Sequence, residues 1–107
     1  MSIRKLRVDE IKMIEFLLKD LPEAEIHLPR LKTLHVEELN DGGMGSLKFL
    51  SHKLERKFGK ELAVGQFHDE DDVQISIAIN VDNFGEMYEV DVWKVDFSPL
   101  IKFPRID

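Results

Sequence analysis

Val73-Gln74-Ile75-Ser76-Ile77-Ala78-Ile79-Asn80-Val81, the turn Asp82-Asn83-Phe84-Gly85, and Glu86-Met87-Tyr88-Glu89-Val90-Asp91-Val92-Trp93-Lys94 decide the fold. The first run places β-branched residues at every second position, the pattern of a strand with one buried face. The second alternates again after a turn rich in Asp, Asn and Gly. The pair predicts a β-hairpin. A four-residue loop at 82–85 pairs Val81 with Glu86, Ile79 with Tyr88, Ile77 with Val90 and Ile75 with Val92, so the apolar sides coincide.

Outward from the hairpin, residues 61–68 predict a third strand, joined through the acidic turn Asp69-Glu70-Asp71-Asp72. A four-residue turn there sets Val64 beside Ile77 and Leu62 beside Ile79. The opposite face then carries Glu61, Ala63, Gly65 and Phe67, next Gln74, Ser76, Ala78 and Asn80, and next Met87, Glu89, Asp91 and Trp93. Small residues form a shallow floor, and Phe67 and Trp93 form an aromatic row across it.

Upstream, Ile11, Ile14, Leu17, Leu18 and Leu21 fall at helical spacing, so 9–21 predicts an amphipathic helix ended by Pro22, with Asp9 and Glu10 in its first turn. Residues 22–32 hold Pro22 and Pro29 and predict a connector with a short extended piece. Residues 33–39 predict a strand with Leu34 and Val36 inward. Asn40-Asp41-Gly42-Gly43 predicts a tight turn, and 44–51 the return strand. Leu47, Leu50, Leu54 and Phe58 also fit a helix from Ser46 to Gly59, and the strand reading is preferred. The tail, with Phe97, Leu100, Ile101 and Phe103, predicts packing along the sheet edge or a face, and across Trp93 it would bury that ring. The whole is α+β: one domain over 1–107, an N-terminal helix packed on an antiparallel β-meander of about five strands.

Charge is uneven. Residues 1–60 hold 12 Lys and Arg against 10 Asp and Glu, and residues 61–107 hold 3 against 11, for a net −6. The acidic half repels nucleic-acid phosphates and steers toward a basic partner. No apolar run reaches the ~18–20 residues that cross a bilayer, and no apolar segment follows the basic N-terminus. The expectation is a cytoplasmic protein without membrane or nucleic-acid partners. With no cysteine, thiol catalysis, disulfides and Cys-based zinc sites drop out together.

Few residues point to chemistry. Gly42-Gly43-Met44-Gly45-Ser46 lacks the lysine and the spacing of a phosphate loop. His27, His35, His52 and His68 form no metal-binding pair, and His68 beside the acidic turn lacks the geometry of a calcium loop. Glu89 and Asp91 share a strand face about 7 Å apart, without a sign of pKa splitting. The serines lack a nucleophile context. No catalytic residue, cofactor or metal is expected.

Asn40-Asp41-Gly42-Gly43-Met44-Gly45-Ser46-Leu47 and Asp91-Val92-Trp93-Lys94-Val95-Asp96-Phe97-Ser98-Pro99-Leu100 resemble the two signature segments of an uncharacterised family of short bacterial proteins, and Arg56-Lys57-Phe58-Gly59-Lys60-Glu61 resembles a third. The resemblance runs from the first helix to Pro99. It implies a stand-alone domain without assigned catalytic residues, and, by class association, an immunity protein of a bacterial toxin system. The expected function is a protein-binding module that occludes the active site of a cognate toxin. Its contact would comprise Asp69, Glu70, Asp71, Asp72, Glu86, Glu89 and Asp91, anchored by Trp93 and Phe67. The alternatives are a homodimeric assembly domain, and a small ligand-binding domain or enzyme between turn 40–45 and Trp93–Phe97, with Asp41, Asp91 and Asp96 as polar groups.

Overall fold

A computed structural model describes residues 3–106. The hairpin is present as β5 (Gln74–Asp82) and β6 (Met87–Lys94). Four further strands join it: β1 (Ile3–Lys5), β2 (His35–Glu38), β3 (Leu47–Phe49) and β4 (Phe58–His68). They form one antiparallel sheet in the order β1-β2-β3-β6-β5-β4. The class is the expected α+β, with six strands where about five were read. The short β1 carries no alternation to announce it. The order is not wholly sequential. A β2–β3 hairpin and a β4–β5–β6 meander are joined where β3 meets β6, at Leu47↔Val90 and Lys48↔Glu89.

Helix α1 covers Val8–Leu18, three residues shorter than the predicted 9–21 at its C-terminal end. Glu10 accepts the Arg7 backbone N–H at 2.8 Å and is held by both terminal nitrogens of Arg4 at 2.8 and 2.9 Å, which ties the start of α1 to β1. The predicted connector 22–32 is helical instead: a short α2 (Ala24–His27) runs into a 3₁₀ segment, Leu28–Thr33. Pro29 sits in the first turn of that segment, where its missing N–H is no loss. Residues 50–57 are irregular, so neither the full strand 44–51 nor the helical reading to Gly59 holds.

Met13, Ile14 and Leu18 of α1, with Ala24 and Leu31, bury against Ile75, Ile77, Ile79, Val90 and Val92. All helical cover therefore lies on one face of the sheet. Phe103 of the tail enters the same core.

Two loops correct the expected register. Asp69 N–H bonds the Val73 carbonyl, and Asp82 N–H bonds the Glu86 carbonyl. Each loop therefore holds three residues, 70–72 and 83–85, where four were read. Each ends on a left-handed residue, Asp72 (φ 65) and Gly85 (φ 81), the conformation that a three-residue hairpin loop requires. On β4 the one-residue slip turns the strand over: Ala63, Gly65 and Phe67 pair with Ile79, Ile77 and Ile75 on the helix side, and Val64 and Gln66 face out. The expected phase survives only beyond an irregularity at Glu61/Ala63, where Glu61 pairs with Asn80. Gly65 is then not part of a partner floor. A Cβ there would lie 2.8 Å from Leu17 Cδ2 and from the Phe67 ring, so the glycine admits α1 to the sheet.

On β6 a second irregularity compensates. Val81 pairs with Met87 but Asn80 with Glu89, leaving Tyr88 as the extra residue. Ile79 therefore faces Val90, and Ile77 faces Val92. Met87, read as outward, is buried in the core, whereas Glu89, Asp91 and Trp93 keep their outward places.

Candidate functional site

One face of the sheet has no helical cover. Across it run two rows of paired residues, Gln66–Ser76–Trp93 and Val64–Ala78–Asp91. Trp93 is 46% exposed, and its ring meets that of Phe97 at 6.0 Å between centroids. The tail does not cover Trp93. Pro99 to Lys102 turn away toward the acidic loop, and Phe103 finds the core on the other side.

Phe97 is 69% exposed and has a φ of 62°. A bulky side chain in the left-handed region is an outlier that costs roughly 1–2 kcal/mol. The turn is fixed by Phe97 N–H to the Lys94 carbonyl (2.9 Å) and by Ser98, whose N–H and hydroxyl both bond Asp96 Oδ1 (3.0 and 2.6 Å). Those bonds hold the Asp96 carboxyl below its usual value. The result is a two-ring aromatic edge standing on the sheet, flanked by exposed Val64 and Val95 and by the carboxylates Asp91 and Asp96. Sequence alone missed Phe97, because nothing in the composition of a turn reveals a left-handed aromatic.

The predicted acidic contact is not one patch. Asp69 is buried, not a surface acid. Lys94 Nζ donates to Asp69 Oδ2 (2.8 Å), Asp71 Oδ2 (2.7 Å) and the Pro99 carbonyl (3.2 Å). Asp69 also accepts the N–H groups of Ile101 (2.7 Å), Glu70 (2.8 Å) and Lys102 (3.1 Å). Every proton of the ammonium has an acceptor, and each Asp69 oxygen has two donors. Burial pushes the Asp69 carboxyl up, but these four donors outweigh it and hold it well below the ordinary range. Burial likewise lowers Lys94, and Asp69 and Asp71 more than restore it, leaving it raised. Glu70 and Asp72 remain exposed.

Glu86 sits at the other end of β5–β6, paired with Lys53 at 3.3 Å. Glu89 accepts from Asn80 at 3.1 Å. Phe67 packs edge-on against Phe16 of α1, 6.5 Å between centroids, on the covered face. It cannot stand in a row with Trp93, since the one-residue slip of β4 puts the two on opposite sides. Of the residues predicted to bind a partner, the structure keeps Trp93 and Asp91 together and leaves Glu89 at their margin.

Asp82, beyond the predicted set, repeats the buried pattern. Arg56 donates to Asp82 Oδ2 (2.8 Å) and to the carbonyls of Phe49 (2.8 Å) and Met87 (2.9 Å). Burial raises the Asp82 carboxyl, but Arg56 and the N–H groups of Glu86 and Phe84 outweigh it, so the net shift is downward. Both buried carboxyls thus stay ionised where those of an unfolded chain, near ~3.9, begin to protonate. Their stabilisation is complete above about pH 5 and drains away as pH falls through the unfolded and then the lower folded values. Urea midpoints should hold level from neutrality down to about pH 5 and then fall steeply. A midpoint that stays level well below pH 4 contradicts this account.

The glycine turn carries no phosphate cradle. Asp41 spends its carboxylate on the N–H groups of Met44 (3.1 Å) and Ser46 (2.9 Å). The Ser46 hydroxyl bridges the backbone of Val92, donating to its carbonyl (3.1 Å) and accepting its N–H (2.9 Å). A cavity of about 220 Å³ lies beside the turn, lined by Asp41 with Arg4, Glu10 and Glu38, but Asp91, Asp96 and Trp93 do not line it. Among the described residues no group of His, Asp or Glu is arranged to hold a metal ion, and no helix is long and apolar enough to cross a membrane.

Residues 3–104 match a family described as a domain of unknown function, DUF6984, and the chain belongs to that family. No curated protein and no solved structure matches the chain.

Proposed function

We propose that this chain is a protein-binding module whose contact is the bare sheet face around Trp93 and Phe97. The observation that carries the reading is Phe97: an exposed ring kept in a costly backbone conformation against an exposed tryptophan. A fold spends that strain where the surrounding structure over-determines it, and such places cluster at functional sites. Paired aromatics with an apolar margin are the usual anchors of protein contacts.

Partner chemistry follows from charge. Asp91, Asp96 and Glu89 surround the aromatic edge, and the chain carries a net −6, which favours a basic surface and speeds encounter with it. The narrower form of the proposal is an immunity protein that covers the basic active-site cleft of a cognate toxin domain. Simple occlusion needs no catalytic group of its own.

Co-expression with the product of the adjacent gene tests this reading. A stoichiometric complex is expected, and Trp93→Ala should weaken it at least tenfold, or more than about 1.4 kcal/mol, with thermal stability nearly unchanged because the ring is half exposed. A complex indifferent to Trp93→Ala moves the contact elsewhere. Concentration-dependent dimers that Trp93→Ala dissolves would replace the toxin partner by a second copy of the chain.

A further inference from the structure

Three of the four histidines, scattered in sequence, meet at one cleft. The end of α2 supplies His27, the start of β2 supplies His35, and the irregular segment after β3 supplies His52. Arg30 stands at the same cleft, whose volume is about 620 Å³, within the roughly 300–1,000 Å³ of small-molecule sites. It lies at the end of the sheet marked by the β5–β6 turn, through Glu86 and Met87.

His27 is the telling residue. It is only 3% exposed, yet among the described residues its imidazole has no hydrogen-bond partner. No buried polar atom of the described residues is sealed without a partner, so the ring nitrogens open onto the cleft. A buried imidazole left free at a cavity wall is a polar group waiting for an external partner. Arg30 stands exposed at the mouth of the same cleft, and its guanidinium has no carboxylate within reach among the described residues. Lys53 is already answered by Glu86. The uncompensated charge of the cleft is therefore the single positive charge of Arg30. Leu34, Phe49, Leu50 and Met87 supply apolar wall.

We infer that this cleft is a binding site for a small amphipathic carboxylate, with its head between Arg30 and His27 and its apolar body along Leu34, Leu50 and Met87. One negative charge matches one free guanidinium, whose planar fork suits a carboxylate. Burial and then Arg30 push the His27 imidazole below its ordinary value, against the weaker pull of Glu23 and Glu86. At neutral pH the ring is uncharged, with one N–H to donate to a carboxylate oxygen. The site is separate from the Trp93 face and stands or falls independently of it.

The experiment is a titration of the ¹⁵N-labelled chain with hexanoate, followed by the signals of His27, Arg30 and Leu50. Hexanol and inorganic phosphate serve as the uncharged and the non-carboxylate probes. Saturable shifts of those three residues by hexanoate are expected, with hexanol binding far more weakly. Arg30→Gln, an exposed change that leaves the fold intact, should weaken hexanoate about tenfold. Absence of saturation, equal binding of hexanol, tighter binding of phosphate, or an unchanged affinity in Arg30→Gln would each overturn the assignment.

Discussion

Replacing Asp69 by Asn is expected to cost about 3–5 kcal/mol of unfolding free energy, although the two side chains have the same shape. Four donors converge on this carboxylate, from Lys94, Ile101, Glu70 and Lys102. An amide accepts through one atom only, so its NH₂ must face either the ammonium or a pair of backbone N–H groups. Whichever way it turns, buried donors are left facing a donor. The loss is a large share of the roughly 5–15 kcal/mol that a domain of this size has in all. Asp69 also fastens the tail, so the amides of Ile101 and Lys102 should lose exchange protection before the strands do. Lys94→Met should be destabilising by itself, and the double variant should cost clearly less than the sum of the two. Urea unfolding of the three variants measures this. Strict additivity, or an Asp69→Asn loss under about 1 kcal/mol, would show that the buried cluster is not a coupled unit.

Lys94 also shows what sequence patterning carries and where it stops. Alternation through Val90 and Val92 puts Lys94 on the inward side of its strand, and an acidic turn lies close by in the same meander. Those two facts were enough to suggest a buried ammonium with carboxylate partners, yet a run of acids reads by habit as a solvated surface. The class of fold was legible because β-branched alternation over 73–81 survives any detail of the loops. The faces were less secure. The two loops of the β4–β5–β6 meander are each one residue shorter than read, and a one-residue slip reverses a strand. On β6 the extra residue Tyr88 hides the slip from Glu89 onward. On β4 nothing restores it until Glu61, so Phe67 changes sides. Loop length depends on which residue takes the left-handed conformation, and Asp72 gives weaker notice of that than glycine would.

The histidine cleft was out of reach for a different reason. Its walls come from three separate stretches, 27–35, 49–53 and 86–87, and contact between them is set by how β3 docks on β6, which no local pattern encodes. All three segments behind the family resemblance are engaged in tertiary ties, the first two with each other. Gly43, Met44 and Ser46 bond Leu100, Lys94 and Val92, and Arg56 supplies the remaining clamp. Much of what makes these segments recognisable is thus committed to folding, while Asp91, Trp93, Asp96 and Phe97 among them stay exposed, as the proposed contact requires.

Arg56→Met should be as damaging as the loss of Asp69, about 3–5 kcal/mol, and more local in its effect. The seam between the two halves of the sheet is short, paired at Leu47↔Val90 and Lys48↔Glu89. Side chains extend it at both ends. Ser46 takes over the ladder at Val92, and Arg56 draws together the carbonyls of Phe49 on β3 and Met87 on β6 while neutralising Asp82. The guanidinium also lies over the Tyr88 ring, 5.1 Å from its centre, adding a cation–π contact. Methionine fills much of the volume but satisfies none of the three acceptors, and Asp82 is left charged in a fully buried position. Lysine should recover less than half of the loss, because an ammonium cannot present donors to three acceptors spread across a planar fork. Hydrogen exchange separates this account from general destabilisation. Amides of β2 and β3 should become labile at a lower opening free energy than those of β4 and β5, because the seam parts before the meander does. If protection falls equally across all strands, the two halves unfold as one body and Arg56 is not a clamp between them.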